Sequence, residues 1–326
     1  NRVFAQGGTP PLLTRQTALN RQWYRTILLS PVIDNHDVAR FSYWAGDHAA
    51  AKMRSALTYT LVQPGLPMLY YGNEVALEGA AATNEQTGAG QDYLNRLPMP
   101  WDRLVDSSRD LVEHTRRLLH LRKQLPALAG AGLTEIYQDY GIYAFIKHRG
   151  REAVLVVLSN SGESEETAIP LPKGLFTRCT RWEDQLSGLR LKARRDTLHL
   201  SLPPRANHLF CIKGRWHPDL LASLPWSCSF TPRISRDMEW IDFYYQGEAR
   251  SVSVAGDFNG WIAGMDSLRR DGDGLWQARL PLKKGRYRYK MVIDGSRWIA
   301  DPAARESELD PYGGRNSVVV VGGAVQ

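Results

Sequence analysis

The sequence predicts an α/β segment with a parallel sheet, followed by an all-β region made of two antiparallel β-sandwich domains. Three observations predict it. Up to about residue 128, helically spaced apolar residues alternate with short apolar runs. After about Gly130 the runs become strand-length, β-branched or aromatic, and are separated by turn residues. Finally, Asn35-His36-Asp37 closes a short apolar run, and in parallel α/β architectures the carboxyl end of a strand is where chemistry is assembled.

The elements follow in order. Leu19, Trp23 and Ile27 recur at helical spacing within Leu12 to Ile27, Ser30 and Pro31 interrupt, and Val32 and Ile33 read as a buried strand. Between His48 and Gln63 one helical face carries Met53, Leu57 and Leu61, and Pro64-Gly65 ends it. A second apolar run, Leu66 to Tyr71, stops at Gly72. Beyond a Gly- and Ala-rich loop, Ser107 and Asp110 have the spacing of a capping box, and Leu111, Leu118, Leu121 and Leu125 continue a helix to Pro126. Ile142–Ile146, Ala153–Leu158, Thr197–Leu202 and His208–Ile212 are the expected strands of a first sandwich, residues 129–214. Gly214 to Pro232 reads as a connector. Glu239–Tyr245, Ser251–Ala255, Leu275–Leu282, Arg286–Ile293 and Ser317–Val321 then give a last module, within residues 215–326.

Composition narrows the function. A chain of 326 residues with 43% hydrophobic and 23% charged side chains has room for two or three packed domains. No apolar run approaches the roughly 20 residues that cross a bilayer, so no membrane span is expected. The net charge of +7 is spread over short pairs such as Arg194-Arg195, Arg269-Arg270 and Lys283-Lys284, which suits a solvated basic surface better than a nucleic-acid face. Cys179, Cys211 and Cys228 are odd in number and far apart, so ordinary buried thiols are expected rather than a metal site or disulfide framework. The chain opens with neither Met nor a signal segment, and the start of a larger protein is expected to be missing.

Pro-Val-Ile-Asp-Asn-His-Asp-Val-Ala-Arg at 31–40 resembles the strand-seven signature of the α-amylase superfamily, glycoside hydrolase family 13. Gly-Leu-Pro-Met-Leu-Tyr-Tyr-Gly-Asn-Glu at 65–74 resembles the strand-eight motif, and Asn95 to Asp102 is similar to the segment that follows it. The resemblance implies the last two strand-helix units of a TIM (β/α)8 barrel in residues 1–128, acting in retaining hydrolysis or transfer at α-glucosidic bonds. It implies Asp37 as the carboxylate that stabilises the distorted sugar. Asn35, His36 and Arg40 are its expected sugar-binding neighbours, His36 at the hydroxyls and Arg40 near the subsite wall. Taken alone, Asp37 could equally cap a turn. Glycoside hydrolysis needs a nucleophile and a general acid about 5 Å apart in retaining enzymes, yet no Gly-x-Arg-x-Asp segment occurs and no Glu precedes Asp37. One of three carboxylates is therefore expected, Glu74 is read as structural, and the chain alone is expected to be inactive. No organic cofactor is implied; some relatives bind calcium, but no ligand set is legible here.

Ser-Val-Ser-Val-Ala-Gly-Asp-Phe-Asn-Gly-Trp at 251–261 resembles carbohydrate-binding module family 48, the glycogen-binding type, and the likeness runs on through Gly285 to Lys290, Trp298 and Asn316-Ser317-Val318. It implies that Trp261 and Trp298 grip a glucan, that Lys290 and Asn316 reach its hydroxyls and that Tyr312 threads the spiral. An apolar sugar face rimmed by hydroxyls suits aromatic plates with convergent polar groups. Trp276, on an alternating strand, is expected in the core. The expected partners are an α-glucan and either the missing barrel segment or a covering protein, since a quarter of a barrel leaves sheet edges exposed. A non-catalytic glucan-binding or targeting protein is the alternative.

Overall fold

Alternation in the first part of the chain builds helices around one short parallel contact. The computed structural model describes residues 3–6, 8–23, 27–79, 95–101, 109–130, 132–176, 180–193, 196–229, 231, 233–310 and 313–322. Helix α1 is Pro11–Trp23, α2 Phe41–Ala45, α3 Ala49–Leu61, α4 Arg109–Gln124 and α5 Pro126–Ala129. Helix α3 buries Met53, Ala56, Leu57 and Leu61, and α4 buries Leu111, Thr115, Leu118 and Leu121, each set on one face at a helical period. Arg122, in the last turn of α4, donates to the carbonyls of Leu61, Gln63 and Gly65, so it satisfies the chain leaving α3 at Pro64. Pro126 ends α4 as expected and also begins a further turn, because proline suits the first position of a helix. Ser107 lies outside the described residues, as do Cys179 and Tyr312.

The two apolar runs meet more briefly than expected. Val32 and Met68 form a parallel bridge, with the Leu66 amide 3.0 Å from the Leu29 carbonyl and the Met68 amide 2.9 Å from that of Pro31. Donors and acceptors both step by two residues, as a parallel ladder requires. Pro31 has no amide to extend the pairing, and no closed barrel forms among the described residues.

The first sandwich comprises β1 (Gly132–Gln138), β2 (Ile142–Arg149), β3 (Glu152–Ser159), β4 (Glu165–Pro170), β5 (Arg181–Asp184), β6 (Arg190–Lys192), β7 (Thr197–Leu202) and β8 (Asn207–Lys213). A six-stranded sheet in the order β1-β2-β3-β8-β5-β6 faces the pair β4-β7. One side of β2 and β3 (Ile142, Ala144, Ile146, Leu155, Val157) packs with Leu198, Leu200 and Leu202 of β7. The other side (Tyr143, Phe145, Val154, Val156, Leu158) packs with Met53 and Leu57 of α3 and Leu118 of α4. Burial on both faces explains why these strands read as continuous apolar runs. The connector holds an unexpected helix, α6 (Pro218–Ser223), whose Leu221 is buried in the sandwich core.

The last module comprises β9 (Met238–Gln246), β10 (Val252–Gly256), β11 (Asp266–Ser267), β12 (Arg269–Arg270), β13 (Leu275–Lys283), β14 (Gly285–Ile293), β15 (Arg297–Ile299), β16 (Glu306–Leu309) and β17 (Arg315–Val321). The path β11-β10-β14-β17-β16, with β15 also on β14, faces β12-β13-β9. Between them lie Phe243, Tyr245, Val254, Tyr287, Tyr289, Met291 and Trp276, which is buried as expected. Ile262 and Met265 leave the module to pack on the core shared by α1 and α3.

Candidate functional site

Around residues 34–40, polarity is sorted by depth. Asp34, which closes the first apolar run, is buried; its carboxylate accepts the Asn73 side-chain amide at 2.8 Å and the Phe41 backbone amide at 2.7 Å. Asn73 belongs to the second motif, so Asp34 joins the two motifs at the carboxyl ends of their runs. Arg40 is equally buried, 3.5 Å from Asp34 and with its guanidinium 4.3 Å from the Tyr70 ring centroid and 4.9 Å from that of Tyr71. A buried cation held between a carboxylate and two aromatic faces is positioning machinery. Arg40 therefore sits beneath the surface instead of along an open wall, because its charge finds partners only there. Gly79 must lack a side chain, since a Cβ there would stand 2.3 Å from Arg40 Cγ.

Above this buried layer the candidate sugar-contacting groups project outward. The Asn35 side-chain oxygen accepts the Asp37 amide at 2.8 Å, a tight Asx turn that aims Asp37 away from the core. His36 and Asp37 are 47% and 61% exposed at their side chains, with Nε2 3.0 Å from Oδ1. The His36 ring centroid lies 6.3 Å from that of Tyr70. An exposed carboxylate beside an imidazole and an aromatic wall can accept hydroxyl protons and oppose a developing positive charge. Glu74, on the short turn after Gly72, is half-buried with one carboxylate oxygen inward.

The second cluster is in the last module. Trp261 and Trp298 stack with centroids 6.4 Å apart and planes 30° from parallel, and Trp298 is 39% exposed. Trp261 has φ 59, a left-handed conformation unusual for a bulky residue. Its indole N–H donates to Asp257 at 3.0 Å, and Asp257 also accepts the Arg288 amide at 2.8 Å. Asn259 bridges the Gly256 amide and the Val254 carbonyl, so the turn before Trp261 is closed from within. Trp298 lies on β15 opposite Val292.

On β14 the residues alternate: Tyr287, Tyr289 and Met291 enter the core, while Arg288, Lys290 and Val292 share the outer face. The half-buried Lys290 ammonium pairs with the buried Asp310, which also accepts the Gly314 amide at 2.8 Å. Asn316 is 4% exposed and its side-chain oxygen has no protein partner. The pairing Tyr289↔Ser317 puts Asn316 beside Lys290 on the same face. Both are thus more enclosed than the motif alone suggested. The roles of Asp34 and Asp257 were missed in the sequence; an acid closing an apolar run with an Arg six positions on was the available signal for the first.

Comparison with known proteins now adds identity to geometry. Residues 12–127 match the family model described as the alpha amylase catalytic domain, and residues 240–324 match the glycogen recognition site of AMP-activated protein kinase. Two segments of the chain are thus each similar to a known family, the first to the α-amylase catalytic domain and the second to a glycogen-binding module. It is 29% identical over 175 residues to Neopullulanase 2 of Thermoactinomyces vulgaris, covering 53% of this chain and 27% of that protein. It is 28% identical over 185 residues to a cyclomaltodextrinase of Geobacillus thermopakistaniensis, covering 56% of this chain and 29% of that one. The chain therefore spans well under half the length of these relatives. Its fold is similar to an Anoxybacillus alpha-amylase (TM-score 0.54, 21% identity, 65% of this chain and 45% of that one). It is also similar to the alpha-amylase of Geobacillus thermoleovorans (TM-score 0.53, 24% identity, 62% and 43%).

Proposed function

We propose that the chain works on α-glucans as part of a family 13 glycosidase that hydrolyses or transfers at α-glucosidic bonds. The observation that carries the substrate class is the stacked pair of the half-buried Trp261 and the exposed Trp298. Each ring offers an apolar plate to a sugar's C–H face, and Lys290 on the outer face of β14, with the enclosed Asn316 beside it, supplies a hydroxyl partner. In the first part, the parallel Val32–Met68 contact supports reading the two motifs as neighbouring strands of a (β/α)8 barrel. Asp37 then serves as the carboxylate that stabilises the transition state, with His36 and Asn35 at the sugar hydroxyls and Arg40 holding Tyr70 and Tyr71 in place. The nucleophile and general acid would come from outside residues 1–326.

On this reading the polypeptide by itself binds glycogen or starch and does not cleave it. Native-gel retardation in glycogen, run beside a reducing-sugar assay, tests both halves. Cleavage that disappears in Asp37→Ala would overturn the single-carboxylate inventory, and unretarded migration would remove the binding assignment. A purely glucan-binding or targeting role is the second reading, favoured by the self-contained hydrogen bonding of the Trp261 turn. It would stand if the chain with its upstream coding sequence still released no reducing sugar.

A further inference from the structure

A cavity of about 350 Å³ opens where the three parts of the chain meet, lined by Trp44 and Lys52 from the helical segment, Arg205 from the first sandwich, and Asp237 and Lys283 from the last module. Its charges do not balance. Asp237 is the carboxylate on its lining, and its oxygens already accept the Gly162 amide at 2.8 Å and the Ser161 hydroxyl at 3.3 Å. Lys283 Nζ stays 3.9 Å away, beyond hydrogen-bond reach. A Cβ added at Gly162 would stand 3.5 Å from Arg205 Nη2 and 3.4 Å from Asp237 Oδ2, so the guanidinium reaches the same corner. Among the described residues that guanidinium makes no ion pair, and the cations therefore outnumber the acid.

Each cation registers the others. Burial, then Arg205, lowers the Lys52 pKa, with Asp47 opposing. That of Lys283 is lowered to about 8, chiefly by burial, with Asp237 opposing, Arg205 and Lys52 adding to the lowering, and Glu165 opposing. Lys284 and Arg286 add positive charge at the rim, the latter engaged by Glu306 and Glu308. Gathering cations out of water is costly unless a counter-charge with several acceptor oxygens joins them.

We infer that this junction is an oxyanion site, built by Lys52, Arg205 and Lys283, that takes a phosphate or phosphate monoester. Trp44 gives the cavity an aromatic wall, so a phosphorylated sugar fits the lining as well as free phosphate does. The site draws one cation from each part of the chain, so its occupant holds those parts together.

Thermal melts and calorimetry on the full chain, with sodium chloride holding ionic strength constant, test this using inorganic phosphate and glucose 1-phosphate as probes. The expected result is a saturable rise in Tm of a few degrees, with Kd roughly tenfold weaker in Arg205→Met and in Lys283→Met. Lys192→Met, an exposed cation elsewhere, should leave Kd unchanged. For glucose 1-phosphate, a monoester already close to its full charge at pH 7, affinity should fall between pH 7 and 9 as Lys283 loses its proton, a readout that needs no variant to fold. Tighter binding of glucose 1-phosphate assigns the site to a phosphosugar, and equal binding assigns it to phosphate alone. A response that does not saturate, matches sodium chloride, or is pH-independent across that range overturns the inference.

Discussion

At residues 34–40 the hydrogen bonds run inward, from Arg40, Phe41 and Asn73 to the buried Asp34, whereas at residues 256–261 they stay local, Asn259 and Asp257 accepting from Gly256 and Trp261 of their own turn and from Arg288 on the neighbouring strand. The first site depends on two apolar runs meeting through one parallel bridge and on helices packing against a sandwich. The second sits on an antiparallel sheet that completes its own pairing. A catalytic-type site drawn from distant elements should therefore be fragile as a unit, and an aromatic platform closed by its own turn should survive damage elsewhere.

The largest expected effect breaks the first site at its hub. Asp34→Ala strands the buried Arg40 charge and should cost about 3–5 kcal/mol in urea unfolding of the helical segment. Glycogen retardation by the module should persist; loss of both together would erase the contrast between the sites.

A pH titration sharpens the same contrast. His114 on α4, its Nε2 2.9 Å from the Thr58 hydroxyl on α3, has its pKa pushed down to about 4, chiefly by burial and then by Arg54. The folded segment resists a proton that the unfolded chain accepts near 6.5. Stability from this group is thus present above about pH 6.5 and declines as pH falls toward 4, by on the order of 3 kcal/mol. His114→Gln should flatten that slope in thermal melts, and a slope unchanged in the variant would contradict the assignment.

Next comes the platform. Trp261→Ala with Trp298→Ala should weaken glycogen binding by about 100-fold, roughly 3 kcal/mol of lost apolar contact, while α3 and α4 keep their helical circular dichroism. Retained retardation would place glucan binding somewhere other than these rings. The smallest effect is expected at Asp37→Asn: an exposed side chain with one neighbour should shift stability by less than about 0.5 kcal/mol and leave retardation unchanged. A large loss of stability there would recast Asp37 as a structural cap.

Much of this was legible in residue order. The faces of α3 and α4, the strands β2, β3, β7 and β8, and the burial of Trp276 follow from period and length alone. Helix α6 and the short strands β11, β12, β15 and β16 were not legible, because two to six residues carry too little periodicity to declare an element. At the candidate sites, sequence pointed to His36, Asp37, Trp261 and Trp298. It could not say that Arg40 is buried under two tyrosines or that Asn316 is enclosed, since burial there is set by strands distant in the chain.

The sequence by itself determined which side chains could do chemistry and which segments would be helical or extended, because these depend on neighbours within a few residues. Only the tertiary structure decided that Asp34, not Asp37, ties the two motifs together, and that Lys52, Arg205 and Lys283 converge on one cavity. Charge interactions depend on distance and burial, and both are fixed only when segments more than a hundred residues apart have packed.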